Sequence, residues 1–245
     1  MALPRWYLPI DPLLLVADGM GGYNGGEIAS KLVVQAMIHR YLRDCFAPDK
    51  QAILKKGIQS AHLQVRKRSE GHEDLGSMGS TLAALLLTPK KGYLANVGDS
   101  RIYRIRDDQI EQISYDQSIV AELVRNGLIS AEEALKHPQR SRLNMSISAK
   151  RETIEPFFLA FPIEAGDRFL LCSDGLWSVL PGQTILTEVL QYPPQEAADR
   201  LVKLANQAGG PDNISVIVAA PKEWAQTKEK DPLKSSMEDT NPGRI

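Results

Sequence analysis

Four aspartates occupy positions in this sequence where a carboxylate could meet a metal ion. Asp18 follows the apolar run Leu13-Leu14-Leu15-Val16-Ala17 and precedes Gly19. Asp174 follows Phe169-Leu170-Leu171-Cys172-Ser173 and precedes Gly175. Asp212 lies in Gly209-Gly210-Pro211-Asp212-Asn213, just before a last apolar run, and Asp99 lies in Val97-Gly98-Asp99-Ser100. Short apolar runs bounded by glycine read as buried strands that stop in tight loops. Carboxylates at such strand ends can converge over a sheet edge, with backbone carbonyls close by. Hard divalent cations need that oxygen-rich setting, and clustered carboxylates are tolerated when a cation offsets their repulsion. Each Asp-Gly pair taken alone is an ordinary turn. Together, the four indicate a metal-binding protein that mixes helix and strand.

The elements that must position them follow from periodicity. From Glu27, apolar residues recur at Ile28, Leu32, Val33, Ala36 and Met37, which is helical spacing. A second helix is expected over Gln51 to Ser69 and a Gly-rich turn over Leu75 to Gly79. Strands are expected at Ser80–Leu87, Gly92–Val97, Arg101–Arg106 and, after an Asp107-Asp108 hairpin turn, Gln109–Ile113. Tight turns between short strands favour antiparallel pairing. Residues 116–151 read as mainly helical: a helix that stops at Asn126-Gly127, then a capping box at Ser130 to Glu133, closed by Pro138. Strands resume at Glu155–Phe161 and Arg168–Cys172, a helix at Gln195–Gln207 and a strand at Ile214–Ala219. Residues 221–245 are charged and Pro-containing, and are expected to form a loose tail beyond a single domain over 1–220.

Composition excludes some classes. In 245 residues, 29 Lys and Arg against 30 Asp and Glu give a net charge of -1, which argues against a nucleic-acid binder. Arg66-Lys67-Arg68 reads as a solvated helix face. No apolar run reaches membrane-spanning length. Cys45 and Cys172 lack CxxC spacing and read as small core residues in a reducing compartment, so a cytoplasmic location is expected. The four histidines show no zinc spacing, and the glycines from Gly19 to Gly26 lack the Lys-Ser/Thr ending of a nucleotide-binding loop. Trp177 reads either as a residue that lines the site or as one that packs in the core, with packing the expected case.

Asp18-Gly19-Met20-Gly21-Gly22 with Gly25-Gly26-Glu27 resembles the signature of the protein phosphatase 2C family. Gly79-Ser80-Thr81-Leu82, Val97-Gly98-Asp99-Ser100-Arg101-Ile102-Tyr103, Asp116-Gln117-Ser118, Glu132-Glu133-Ala134 with His137-Pro138, Cys172-Ser173-Asp174-Gly175-Leu176-Trp177 and Gly210-Pro211-Asp212-Asn213-Ile214 continue the resemblance in order. It runs from about Leu13 to Ala219. It implies an α+β, four-layer α-β-β-α sandwich of two antiparallel sheets flanked by helices, with a flap over about 116–151. It implies hydrolysis of phosphoserine and phosphothreonine in proteins by water activated by two Mg or Mn ions, with a third ion in bacterial members. Carried over by position, Asp18 would bridge two ions and the Gly19 carbonyl would bind the second. Asp174 and Asp212 would complete the first, and Asp99 with Asp174 would serve the third. A cognate Ser/Thr kinase is the implied partner.

The sequence also departs from the family. Members begin with two strands carrying an arginine, followed by an Asn-Glu-Asp or Asn-Gln-Asp element, before the strand matched by Leu13–Ala17. Here Arg5 and Asp11 are the charged candidates, at the wrong spacing. The N-terminal strands are therefore expected to be truncated, the phosphate-binding arginine absent and the second ion's site incomplete. A sheet edge would be left for the N-terminal segment or another chain to cover, which is a candidate dimer contact. Tyr23 and Gln117 stand where many members have histidines, and Arg142-Leu143-Asn144-Met145 departs from the usual flap stretch. The alternative function is a catalytically impaired binding or regulatory module that keeps the fold.

Overall fold

The computed structural model describes residues 10–21 and 25–221. Two four-stranded antiparallel sheets form its centre. One has the order β1 (Leu13–Val16), β4 (Leu82–Leu87), β5 (Lys91–Val97), β9 (Phe157–Pro162). The other has the order β11 (Val216–Ala219), β10 (Arg168–Cys172), β6 (Arg101–Arg106), β7 (Gln109–Gln112). A small third sheet joins β2 (Gly19–Met20), β3 (Gly79–Ser80) and β8 (Ile147–Ser148).

The layering follows from side-chain alternation along the strands. All six residues of β4 are buried, because both of its faces are covered. Leu82, Ala84 and Leu86 face the helices α1 (Gly25–Asp44) and α2 (Lys50–Ser69), where they pack with Val33, Met37, Leu54 and Ile58. Ala83, Leu85 and Leu87 point the other way, onto Ile102, Phe169 and Leu171 of the second sheet. β10 does the same in mirror fashion: Leu170 and Cys172 leave the inter-sheet core for a cluster with α6 (Gly182–Gln191) and α7 (Pro194–Gln207). Helices, sheet, sheet and helices therefore stack as the four layers expected.

Local chemistry explains most boundaries. Asp49 caps α2 through the Ala52 amide at 2.9 Å, and Arg66, Lys67 and Arg68 complement the dipole at its last turn. Asp107 and Asp108 both have positive φ, 49° and 55°, as a two-residue hairpin turn of the primed type demands. Ser130 and Glu133 form the capping box of α4 (Ala131–Lys136), which follows α3 (Ile119–Arg125).

Some expectations shift. Ser80 belongs to the short β3, and the long strand begins at Leu82. Residues 73–75 form a single 3-10 turn ahead of the Gly-rich stretch. The strand expected from Glu155 begins at Phe157, and the last one begins at Val216. Two helices were not anticipated: α5 (Asp174–Trp177) and α6, which buries Ile185, Leu186 and Val189. Among the described residues, β1 pairs only with β4 and β11 only with β10. The expected N-terminal truncation and the tail from residue 222 lie outside the described residues.

Phe169 is fully buried between the sheets and its ring lies 5.8 Å from that of Phe161. Phe169→Ala should cost about 3–5 kcal/mol of unfolding free energy in urea titrations. A loss below about 1 kcal/mol would mean that the inter-sheet core repacks freely.

Candidate metal centre

Topology alone carries the four aspartates to one end of the sandwich. β1 and β5 are both antiparallel to β4, so they run in the same direction and stop at the same end, at Val16 and Val97. Asp18 and Asp99 follow those stops. β6 starts just after Asp99, and its first residue, Arg101, pairs with Cys172 at the end of β10, which places Asp174 there too. Cys172 also pairs with Val216, the first residue of β11, and this brings in the loop that holds Asp212.

Close backbone contacts and hydrogen bonds then fix the loops. A Cβ on Gly19 would overlap the Gly26 carbonyl, so glycines at both positions let the start of α1 rest on the loop carrying Asp18. A Cβ on Gly175 would overlap the Asn213 carbonyl, so this glycine lets the Asp174 and Asp212 loops touch. Ser173 reinforces that contact: its amide donates to Ser215 at 3.1 Å and its hydroxyl to the Asn213 carbonyl at 3.2 Å. The Asp18 amide donates to Thr81 Oγ1 at 2.9 Å, and the Asp18 carbonyl accepts from Ser80 Oγ at 3.0 Å and from the Thr81 amide at 2.8 Å. Thr81 Oγ1 in turn meets Ser100 Oγ at 2.6 Å, beside Asp99.

These hydroxyls were quoted in the sequence as part of a motif without a role; their role is to clamp Asp18. Gln117 is a second such find. Its Oε1 accepts from the Gly98 amide at 3.0 Å and its Nε2 donates to the Glu155 carbonyl at 2.8 Å, so it holds the Asp99 loop. Trp177, expected in the core, is half-buried against the cluster formed by β10, α6 and α7. Its Nε1 donates to the Asp99 carbonyl at 3.0 Å, and the Arg101 guanidinium stacks over the ring at 3.6 Å. Arg101 is bound through Nε and Nη2 to Asp116 Oδ2 at 2.9 and 2.7 Å.

Burial and mutual repulsion lift the carboxylates together. Burial, then the charges of Asp174, Asp212 and Asp99 together with a hydrogen bond to Asp174, raise Asp18 from 3.8 to about 7. Burial, then the charges of Asp174 and Asp116, raise Asp99 to about 7 against the opposing pull of Arg101. Asp174 is raised by burial, with the Asp212 charge adding and the hydrogen bond from Asp18 opposing. One oxygen, Asp174 Oδ1, is buried with no hydrogen-bond partner. The groups are gathered but not closed. Among the described residues no three acidic, histidine or cysteine side chains form a ready-made cage. Asp212 is exposed, and its Oδ1 accepts from the Asn213 amide at 2.7 Å. The all-oxygen donor set and the orphaned Asp174 oxygen suit a hard divalent cation. Tyr23 and residues 1–9, Arg5 among them, lie outside the described residues.

The protein phosphatase 2C family profile matches residues 6–208. The chain belongs to the protein phosphatase 2C family. The serine/threonine protein phosphatase PstP of Mycobacterium tuberculosis is 42% identical over 210 residues, covering 84% of this chain but only 40% of that protein. The chain thus spans well under half the length of that relative. The serine/threonine phosphatase stp of Listeria monocytogenes is 35% identical, with 84% of this chain and 83% of that protein covered. The crystal structure of the PstP catalytic domain in complex with two manganese ions superposes with a TM-score of 0.77 at 38% identity, covering 84% of this chain and 86% of that one. Stp1 from Staphylococcus aureus gives 0.79 at 33%, covering 85% and 83%. The four-layer architecture is that of these phosphatase 2C structures.

The raised carboxyls set the pH dependence of the metal-free protein. Asp18 and Asp99 keep their protons up to about 7 when folded, against 3.8 when unfolded. The folded state thus binds more protons between those values, and the stability they contribute, full at low pH, is lost as pH rises through that window. Thermal melts without metal should show Tm falling from about pH 4 to about pH 7, less steeply in Asp18→Asn, and saturating manganese should flatten the profile. An identical slope in Asp18→Asn would refute the shared burial of charge.

Proposed function

We propose that the chain hydrolyses phosphoserine and phosphothreonine in proteins, with Asp18, the Gly19 carbonyl, Asp174 and Asp212 holding two Mg or Mn ions and Asp99 with Asp174 serving a third. The observation that carries this is the convergence of four strand-end aspartates at one end of the sandwich, with a buried carboxylate oxygen left without a partner. Relatives of similar length bear the serine/threonine phosphatase name, which supports the same reaction here. Bound there, paired divalent cations supply a water of lowered pKa and neutralise charge on the phosphoryl group.

The chain's own residues prepare that chemistry. Thr81 and Ser80 fix the backbone of Asp18, so that its carboxyl keeps one direction. Trp177 and Gln117 hold the two sides of the Asp99 loop. Gly175 and Ser173 keep Asp174 beside the Asp212 loop, where the Asn213 amide holds Asp212 Oδ1. Burial and the neighbouring carboxylates favour the protonated form of Asp18, so cation binding there would be linked to proton release.

The protein substrates would be supplied by a Ser/Thr kinase. Both cysteines are buried and unpaired, which supports a cytoplasmic location. Among the described residues no helix is long and apolar enough to cross a membrane. The edge of β1 is where a second copy could add a strand. No observation favours an inactive binding module.

Manganese-dependent hydrolysis of p-nitrophenyl phosphate and of a phosphothreonine peptide should fall about a hundredfold or more in Asp174→Asn. Calorimetry should show weaker manganese binding by the same variant. Turnover that survives both chelation and Asp174→Asn would overturn the assignment.

A further inference from the structure

The outer helical layer turns an amphipathic face to solvent. Residues 45–49 alone join α1 to α2, and Met37 meets Gly57, so the two helices run antiparallel. Both rest on the same sheet, one through Val33 and Met37, the other through Leu54 and Ile58, so their solvent faces look the same way. Large apolar side chains stand open on that face. Ile38, Leu42 and Phe46 follow at intervals of four, along α1 and just past its end, and are 43%, 60% and 72% exposed. Leu63 of α2 is 68% exposed.

Positive charge surrounds them. At 3.6 residues per turn, Leu63 stands nearly opposite the buried stripe of α2. Exposed Lys55 and Lys56 share its side of the helix two turns earlier, and exposed Arg66 and Lys67 one turn later. None of these four cations has an ion pair among the described residues. α2 contains no Asp or Glu; acids return at its ends, at Asp49, which caps it, and at Glu70. Single apolar side chains are ordinary on any surface. Here they share one layer with unpaired cations, in a chain whose net charge is -1. A partner that satisfies both features is negatively charged and takes in hydrocarbon.

We propose that the outer face of α1 and α2 docks on an anionic lipid surface, its exposed apolar side chains entering the headgroup layer and its four cations meeting lipid phosphates. A folded acidic partner fits less well. Such a partner needs pockets in which anchor residues seat. The cavities beside the metal centre and at the β6–β7 hairpin are lined by neither helix. Lipid headgroups close around isolated side chains without a matching shape. The aspartates gather at one end of the sandwich and this face is one of its sides, so docking leaves the centre open. The proposal stands independently of the phosphatase reading.

The test is co-sedimentation of the full chain with vesicles of phosphatidylcholine, alone or with about one third phosphatidylglycerol. The chain should bind the mixed vesicles and not the neutral ones, and should release between about 0.1 and 0.5 M salt as charges are screened. Lys55→Glu with Lys56→Glu, and Arg66→Glu with Lys67→Glu, should each weaken binding about tenfold or more, while Lys55→Arg with Lys56→Arg keeps it. Leu63→Gln should weaken binding at every salt concentration. Unchanged melting curves separate lost docking from lost fold; should Leu63→Gln melt early, the more distant Leu42→Gln carries the apolar arm. Manganese-dependent turnover of p-nitrophenyl phosphate should be the same in all variants. Equal binding to neutral vesicles, binding to neither, or binding untouched by the charge reversals would overturn the proposal. So would polyglutamate held where vesicles are not, which means an acidic protein partner, or a dimer that Leu63→Gln dissolves in light scattering. Vesicle binding that appears only after removal of residues 1–9 would assign the face to the chain's own start, which enters this layer at the Asp11–Lys50 ion pair.

Discussion

Four carboxylates crowded into a half-buried space repel one another, and the rest of the structure can be read as the means of forcing them together. Left to themselves, such groups either spread into solvent or take up protons. Asp18 and Asp99 take the second course, and Asp212 takes the first. Holding them needs a rigid frame, and two sheets whose strands end at a common edge provide one. The frame is stiff because β4 and β10 are covered on both faces, so neither has a wet side along which to slide. A register slip of one residue would turn each apolar row the wrong way.

The glycines serve the same constraint at shorter range. Gly19 against Gly26 and Gly175 against Asn213 are places where two backbones meet with no room for a side chain. Each contact draws a loop bearing an aspartate towards another element. Thr81 and Ser80 then convert proximity into direction through hydrogen bonds with the backbone of Asp18, and Ser100 holds the Thr81 hydroxyl in turn. The loop geometry is therefore fixed by the main chain, and the carboxylates remain free to meet cations.

The frame and the four aspartates were legible in sequence because both rest on short-range pattern: apolar runs that stop at Asp-Gly, the Asp107-Asp108 turn, and the capping box at Ser130. Features that depend on tertiary meetings were not legible. Trp177 reads as apolar by type, yet its indole nitrogen finds the Asp99 carbonyl only because α5 and β6 are neighbours in space. Gln117 differs from the family residue at its position, and only the fold shows that it bridges Gly98 to Glu155. The missed α6 did carry a signal: Ile185, Leu186, Val189 and Leu190 recur at helical spacing after Pro181.

A contiguous path links Arg125 on α3 to the metal centre. Arg125 donates to the Asp116 carbonyl at 2.9 Å, the Asp116 carboxylate holds Arg101, Arg101 stacks on Trp177, and Trp177 holds the Asp99 carbonyl. Both charges of the Arg101–Asp116 pair are largely shielded from water, so losing either partner would leave the other buried and uncompensated.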